Sequence, residues 1–520
     1  MDHIRIFDTT LRDGLKSPGT ILSNDEKLRL AKQIARLRVD VLEVGFPAAS
    51  EEQYEMVERI VREVQGPVMA VLARATNARD FEIAAGALKS AEKKRIHTFV
   101  PASRQYRDHF LKKSAEQALE LAVAAVKMAK AITPEVEFSL VDAFRADPAE
   151  LLALVRAVIE AGANSVNLAD TVGCATPVEV ATIFQLLKQH LGEFDRVTFS
   201  IHCHNDLGLA VANSLTAVAE GAKQVQCTVN GIGERAGNAA LEEIVAAIDM
   251  HAARLGRSTQ IELSQIYPAS RLVQRLTGIA LQPHKPVVGA NAFICDTAVP
   301  QLADAKEKPP CEILSAEKFG ILATGDFLTS DASLDQFKAK VAELGYELDG
   351  EQLPKCYEVF RELAAKKEMV FDSDLESLLS AGAALEDKRY KLLYLNVTAG
   401  SISVPNATVQ LEVDGQIFQD AGFGHGPVDA AFKTICRMVK RMPKLVRYEV
   451  NAVTPGTDAQ GEVTLRLEEN GHLVNGRAVD TDIVLASARA LVDGLNKLES
   501  ISDQPVVSEF TDEEAWMPRL

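Results

Sequence analysis

The chain has 520 residues, of which 47% are hydrophobic and 25% are charged. This composition is typical of a globular protein with a large core, and the length predicts roughly two to four domains. The formal net charge is −17. It argues against a nucleic acid or an anionic membrane as a partner, because both require a basic face.

The cysteines and the first residues of the chain indicate the cellular compartment. Seven scattered cysteines form no CxxC pair, and the opening MDHIRIFDTTLRDG has neither a basic segment nor an apolar one. These features predict a protein of the cytoplasm with reduced thiols and no signal peptide. No apolar run reaches the ~18 residues of a membrane span, so no membrane association is expected.

Short runs rich in β-branched residues alternate with amphipathic stretches over the first half of the chain. The runs lie at 4–7, 41–44, 68–72, 96–100, 136–140, 165–168, 198–202 and 225–229. Helical patterns at 25–37, 115–131 and 148–161 separate some of them. Eight strand–helix units predict an α/β fold of the (β/α)₈ TIM-barrel type. The alternative, an open doubly wound sheet, usually has a glycine-rich loop after its first strand, where this chain reads DTTLRDG.

The second half changes pattern twice. A mostly helical stretch is followed, from Tyr390, by strand-like segments that alternate with helices near 427–441 and 481–498. This order predicts a small α+β domain in which a β-β-α repeat occurs twice. We therefore predict a barrel at 1–269, a helical connector at 270–387, an α+β domain at 388–505 and a tail at 506–520.

The strongest chemical signal is FSIHCHNDLGLA (199–210), which contains His202 and His204. Side chains two apart on a strand point to the same face. At the carboxyl end of a barrel strand, two imidazoles form half of a divalent-metal site. The plainer interpretation is a pair of histidines satisfied inside a polar barrel mouth. Asp13 follows the first strand and reaches the same mouth, which favours the metal site.

Three further residues lie near this group in the predicted barrel. Arg12 is suited to hold negative charge that develops on a substrate oxygen, although a structural ion pair is the alternative. Lys16 suggests a substrate with an extra anionic group, unless it is a solvated surface lysine. The glycine-rich NGIGERAGN (230–238) exposes backbone N–H groups to an anion, and Asn238 could add an oxygen ligand to the metal.

These segments carry a resemblance. The stretches LRDGLKSPGTILSNDEK (11–27), FSIHCHNDLGLA and NGIGERAGN together resemble the 2-isopropylmalate synthase and homocitrate synthase family. EVGFPAAS (43–50), RIHTFVPAS (95–103) and ADTVG (169–173) are similar to it too. Segments such as GFGHGPVDAAF (422–432) resemble the leucine-sensing regulatory domain of that family. The resemblance extends over nearly the whole chain.

The resemblance implies a barrel enzyme that joins acetyl-CoA to a 2-oxo acid with the help of a divalent metal such as Mg, Mn or Zn. The residues that it assigns to the metal are Asp13, His202, His204 and Asn238. Arg12 would polarise the keto oxygen, while His97 and Thr171 would line the oxo-acid pocket. It also implies a homodimer and an amino-acid effector of the C-terminal domain.

The sequence departs from the family pattern at several positions. Lys16 stands where the family has glutamine, and Val141 where it has glutamate. In the connector, Cys295 and Pro300 replace histidines, and Cys311 replaces a tyrosine. General-base help is typically worth ~10²–10⁴ in rate. The sequence therefore predicts an intact metal and keto-acid half beside an altered acetyl-activating half.

Three functions remain open at this point. The main hypothesis is acyltransferase-type formation of a C–C bond with a 2-oxo acid. One alternative is a divergent paralogue with another donor or acceptor, including aldolase, lyase or decarboxylative chemistry, since a donor that loses CO₂ needs no base. The other is a non-catalytic regulatory subunit. Assays with several 2-oxo acids, with and without acetyl-CoA, discriminate among them.

Overall fold

The protein is described by a computed structural model that divides into two compact units, 1–323 and 324–514. The described residues are 1–20, 22–192, 194–289, 291–293, 313–321, 327–329, 332–343, 348, 352–364, 370–371, 375, 378–379, 389–400, 402–452, 461–469 and 472–501. Within these ranges no helix is both long and apolar enough to cross a membrane. The four predicted domain boundaries stay predictions.

A closed parallel barrel of eight strands forms the centre of the first unit. The strands are β1 (Arg5–Asp8), β2 (Val41–Gly45), β3 (Val68–Arg74), β4 (Lys94–Pro101), β5 (Glu135–Val141), β6 (Ser165–Asp170), β7 (Thr198–Cys203) and β8 (Gln224–Cys227). Pairing of β1 with β8 closes the ring. The predicted TIM barrel is confirmed. The last strand ends before Val229, because the chain turns there and Asn230 takes a positive φ of 63°.

One long helix follows each barrel strand. The helices are α1 (Asn24–Arg36), α2 (Glu51–Glu63), α3 (Ala78–Ala87), α4 (Ala115–Ile132), α5 (Pro148–Ala161), α6 (Pro177–His190), α7 (Ala210–Ala219) and α8 (Leu241–Met250). The bounds of α5 match the predicted ones because both ends carry local signals. Asp147 caps the first turn, Pro148 occupies the first helical position, and Gly162 ends the helix in the left-handed conformation. A further helix, α9 (Ile266–Thr277), packs against the same core.

The described residues of the second unit form four helices, a short strand pair and two three-stranded antiparallel sheets. In chain order these are β9 (Phe327–Leu328), α10 (Leu334–Glu343), α11 (Gln352–Ala364), β10 (Val370–Phe371), β11 (Tyr390–Thr398), β12 (Asn406–Val413), β13 (Gln416–Phe423), α12 (Pro427–Val439), β14 (Lys444–Ala452), β15 (Gly461–Glu469), β16 (His472–Asp480) and α13 (Ile483–Ile501). The α+β prediction is confirmed. The repeat, however, has three strands before each helix. The sequence pattern hides β13, because its residues are mostly exposed and do not alternate.

Candidate metal centre

The loop after β1 folds back on the strand and places Asp13 at the barrel mouth. The N–H groups of Asp13 and Gly14 both donate to the carbonyl of Thr9, at 2.8 and 3.0 Å. A 3₁₀ turn over Gly14–Lys16 then begins, with Asp13 as its first flanking residue. The carboxylate of Asp13 is thereby buried at the carboxyl end of the barrel, where TIM barrels place their active sites.

The two histidines predicted as ligands lie beside this carboxylate. His202 belongs to β7, and His204 follows it and pairs through its backbone with Asn238. The imidazole rings are 5.0 Å apart between centroids. The Nε2 atoms of both rings lie 3.7 Å from Oδ2 of Asp13. The three side chains therefore converge as the sequence predicted, with one donor atom from each within 4.8 Å of the others.

Several polar atoms of this cluster have no hydrogen-bond partner among the described residues. They are Oδ2 of Asp13, Nδ1 of His202, Nδ1 of His204 and Oδ1 of Asn238. Buried polar atoms in folded proteins are nearly always paired. A carboxylate and two imidazoles are also donors that divalent transition metals accept. The unpaired Oδ2 of Asp13 and the chemistry of the three converging donors therefore fit a bound metal ion.

Electrostatics keep Asp13, His202 and His204 in the protonation forms that a metal ion would bind. Burial raises the pKa of Asp13, but Lys16 and Arg12 outweigh burial and hold that pKa well below its usual value. Burial lowers the pKa of His202 to about 3, with a smaller contribution from His204. Burial also lowers the pKa of His204. At neutral pH the carboxylate is charged and both rings are neutral, as a metal requires.

Two cationic side chains contact the second carboxylate oxygen of Asp13. Its Oδ1 lies 2.6 Å from Nη1 of Arg12 and 3.0 Å from Nζ of Lys16. Nε of Arg12 also donates to Oε2 of Glu43 at 2.7 Å. The guanidinium of Arg12 is thus fixed between two carboxylates. Ion pairing and a position beside the candidate metal, which the sequence offered as alternatives, both occur in the structure.

Glu43 is the main site residue that the sequence reasoning missed. Its carboxylate is fully buried and accepts hydrogen bonds from Oγ1 of Thr9 at 2.6 Å and from Arg12. Its Oε1 lies 2.6 Å from Nδ1 of His97. Burial raises the pKa of Glu43, but Arg12 and His97 outweigh it and lower that pKa to about 2. The available signal was one glutamate inside the otherwise apolar strand VLEVG.

The two residues that the resemblance assigns to the oxo-acid pocket have different surroundings. His97 uses both ring nitrogens, one towards Glu43 and the other 2.6 Å from Oγ of Ser139. Thr171 accepts the N–H of Asp142 at 2.8 Å. In the part of the chain that the structure describes, neither contact reaches the metal-binding atoms. His97 is linked to the site through Glu43, while Thr171 fixes the loop that follows β5.

One departure from the family pattern, Val141, lies in a described strand. Val141 is the last residue of β5, two positions after Ser139, whose hydroxyl meets His97 inside the barrel. Residues two apart share a face, so Val141 points inwards at the barrel mouth. An apolar side chain thus occupies the position at which the family has glutamate. The three connector positions, Cys295, Pro300 and Cys311, lie outside the described residues.

The glycine-rich loop after β8 closes the site from the other side. Ser17 donates its hydroxyl to the carbonyl of Gly233 at 2.9 Å and accepts the N–H of Gly233 at 2.7 Å. A Cβ at Gly233 would lie only 2.3 Å from Nδ2 of Asn238. Glycine is therefore required for the close approach of Asn238, whose Nδ2 donates to the carbonyl of Ile232 at 3.0 Å.

Comparison with known proteins agrees with this geometry. Residues 3–273 match the HMGL-like family and residues 369–499 match the LeuA allosteric (dimerisation) domain. A 2-isopropylmalate synthase of Syntrophus aciditrophicus is 46% identical over 497 residues, which is 96% of each chain. One of Nitrosococcus oceani is 46% identical over 499 residues, 96% of this chain and 98% of the relative. The chain therefore belongs to the 2-isopropylmalate synthase family, with an HMGL-like barrel and a LeuA-type dimerisation domain.

Proposed function

We propose that this protein is a divalent-metal-dependent synthase that forms a C–C bond between an acyl donor, acetyl-CoA in the first instance, and a 2-oxo acid. The observation that carries the proposal is the convergence of Asp13, His202 and His204 around an unpaired carboxylate oxygen. The name of the relatives, 2-isopropylmalate synthase, supports the same reaction class. By that name, 2-oxoisovalerate is the first acceptor to test.

Each residue of the site has a proposed part. Asp13, His202 and His204 would hold Mg²⁺, Mn²⁺ or Zn²⁺, with Oδ1 of Asn238 as a further ligand. When bound, the metal would supply Lewis-acid polarisation of the acceptor carbonyl. Arg12 is placed to hold the negative charge that develops on the keto oxygen, since a fixed donor stabilises such charge without reorganisation.

The residues around Arg12 would position it and shape the pocket. Glu43 touches both Arg12 and His97, so we assign it as a positioning residue for both. His97 and Thr171 would line the oxo-acid pocket. Lys16 presents its ammonium beside the same site and would meet an anionic group of the substrate.

The second unit supports a proposal that the protein forms a homodimer and is regulated by an effector. The match to an allosteric dimerisation domain over 369–499 supports a homodimer, and an amino acid is the effector that we propose for it. The described cysteines are all free. Together with the biosynthetic name of the relatives, this supports a cytoplasmic location.

The test of the proposed function is a thiol-release assay on the full-length chain. Acetyl-CoA would be combined in turn with 2-oxoisovalerate, pyruvate and 2-oxoglutarate, with Mg²⁺, Mn²⁺ or Zn²⁺ added after treatment with EDTA. We expect thiol release that requires both an oxo acid and a metal. Absence of release with every combination, by a chain that circular dichroism shows to be folded, would contradict the synthase function.

A second candidate function, C–C bond formation with a donor that loses CO₂, follows from Val141. This apolar residue lies at the barrel mouth, at the position where the family has glutamate. A donor that forms its carbanion by losing CO₂, such as malonyl-CoA, needs no base for this step. We expect wild-type turnover with acetyl-CoA to stay below ~1 s⁻¹, the low end of typical enzymes. Val141→Glu should raise it roughly tenfold, a fraction of what a general base is worth, and Val141→Gln should not. Wild-type turnover at or above that rate would remove this candidate.

A further inference from the structure

Lys16 lies against Asp13 because of the local backbone. The turn over Gly14–Lys16 is a 3₁₀ helix, and the N–H of Lys16 donates to the carbonyl of Asp13 at 3.2 Å. Side chains three apart eclipse each other in a 3₁₀ helix. The ammonium of Lys16 accordingly sits 3.0 Å from Oδ1 of Asp13. This contact is built into the turn.

The backbone of the turn is also fixed from outside. The hydroxyl of Ser17 makes two hydrogen bonds to the backbone of Gly233, at 2.9 and 2.7 Å. Movement of the whole turn would break both bonds. Lys16 can therefore leave Asp13 only by rotation of its own side chain, which is 26% exposed.

The two oxygens of Asp13 consequently have separate tasks. Arg12 and Lys16 both meet Oδ1, while Oδ2 faces the two imidazoles without a partner among the described residues. A metal bound at Oδ2 would share the carboxylate of Asp13 with a lysine cation a few ångströms away. Like charges at such a distance repel, most strongly where water is excluded.

We propose that Lys16 is a built-in competitor of the divalent metal, whose positive charge beside Asp13 weakens metal binding. The inference depends on the proposed metal site. It assigns to Lys16 an effect on metal affinity that is separate from any contact with substrate. A neutral side chain at this position would remove one of the two cations at Oδ1 of Asp13 and so strengthen metal binding.

The experiment is a calorimetric titration of the EDTA-treated, full-length chain with Mn²⁺ alone. We expect Lys16→Gln to bind Mn²⁺ roughly tenfold more tightly than the wild type, an effect of the size that neighbours of metal ligands produce. Lys16→Met, which keeps the length of the side chain without its charge, should show the same gain. Lys16→Arg keeps the charge and should stay within roughly twofold of the wild type.

Lys32→Gln is the matched control. Lys32 lies on the outer helix α1 and pairs with Glu63, so this variant loses the same charge away from the site and should bind Mn²⁺ like the wild type. Equal affinity of wild type, Lys16→Gln and Lys16→Met would overturn the inference and leave the metal site standing. An equal gain in Lys32→Gln would also overturn it, because the cause would then be net charge. Failure of every folded variant to bind Mn²⁺ would overturn the metal site itself.

Discussion

Two buried polar clusters occupy the same barrel and differ in how completely their atoms are paired. In one, Arg95 donates to Glu137 at 2.7 Å and to Gln224 at 2.8 Å. Gln224 and Gln226 both donate to the other oxygen of Glu137 at 2.8 Å. In this cluster, as far as the structure describes it, only Nε of Arg95 lacks a partner. The candidate metal centre leaves four such atoms unpaired among the described residues.

The difference separates a structural cluster from a binding site. A buried polar group costs stability unless it is hydrogen-bonded. The polar groups of the Arg95 cluster are hydrogen-bonded to one another, so this cluster holds the strands together. The cluster around Asp13 leaves polar atoms unpaired among the described residues, and a cation at Oδ2 of Asp13 would satisfy that oxygen. Four measurements sharpen or break this distinction.

The largest effect is expected at the structural cluster. Arg95→Met removes the cation of the buried Glu137 carboxylate and a donor to Gln224. We expect the free energy of unfolding to fall by roughly 3–5 kcal/mol, the usual result of breaking a buried pair on one side. Urea denaturation measures it. Arg104→Met, at a side chain that is 84% exposed, should change it by under ~0.5 kcal/mol. A loss below ~1 kcal/mol for Arg95→Met would show that this cluster is not structural.

Arg12→Ala tests the catalytic part of the other cluster. We expect the turnover found in the thiol-release assay to drop roughly 100- to 1000-fold, because one good donor to developing charge is worth ~3–4 kcal/mol. Mn²⁺ binding should be retained or become tighter, since Arg12 contacts Oδ1 of Asp13 as a cation and is not a ligand. A drop of less than roughly fivefold, far below that donor's worth, would make Arg12 structural.

His202→Gln tests whether the unpaired atoms belong to a metal site. At a Mn²⁺ concentration of about 100 Kd, the wild type should gain about 2.7 kcal/mol of unfolding free energy through linkage. The variant should gain none at that concentration. Thermal melts with Mn²⁺ and with EDTA measure both. An equal Mn²⁺-dependent rise in wild type and variant would place the metal elsewhere.

The pH dependence of the metal-free protein gives a smaller effect. Burial lowers the pKa of His202 to about 3 in the folded chain, against roughly 6.5 when unfolded. Between these values only the unfolded chain takes up a proton at His202, so stability should fall as pH drops from about 6.5 towards 3. The slope from this group is at most ~1.4 kcal/mol per pH unit. His202→Gln should reduce the slope of unfolding free energy against pH by up to that amount, as measured by urea titrations at pH 7, 6 and 5. Parallel curves would mean that burial does not lower the pKa.

The sequence predicted the barrel and the convergence of Asp13, His202 and His204 for physical reasons that act locally. The β-branched runs indicated the strands, and capping residues such as Asp147 and Gly162 set helix bounds. The two-residue period then placed His202 and His204 on one face. Glu43 and Arg95 were not predicted, because charged residues within apolar strands are usually assigned to an exposed face. Only closure of the barrel shows that both point into a polar interior.

The bond between Ser17 and Gly233 joins residues 216 positions apart, which has a consequence for synthesis of the protein. Asp13 emerges early from the ribosome, whereas His202, His204 and Asn238 follow only when nearly the whole barrel has been translated. Until β8 pairs with β1, Asp13 has no imidazole partners. Barrel intermediates that remain open therefore lack the site. Metal uptake by a growing or refolding chain should coincide with the pairing of its first and last barrel strands.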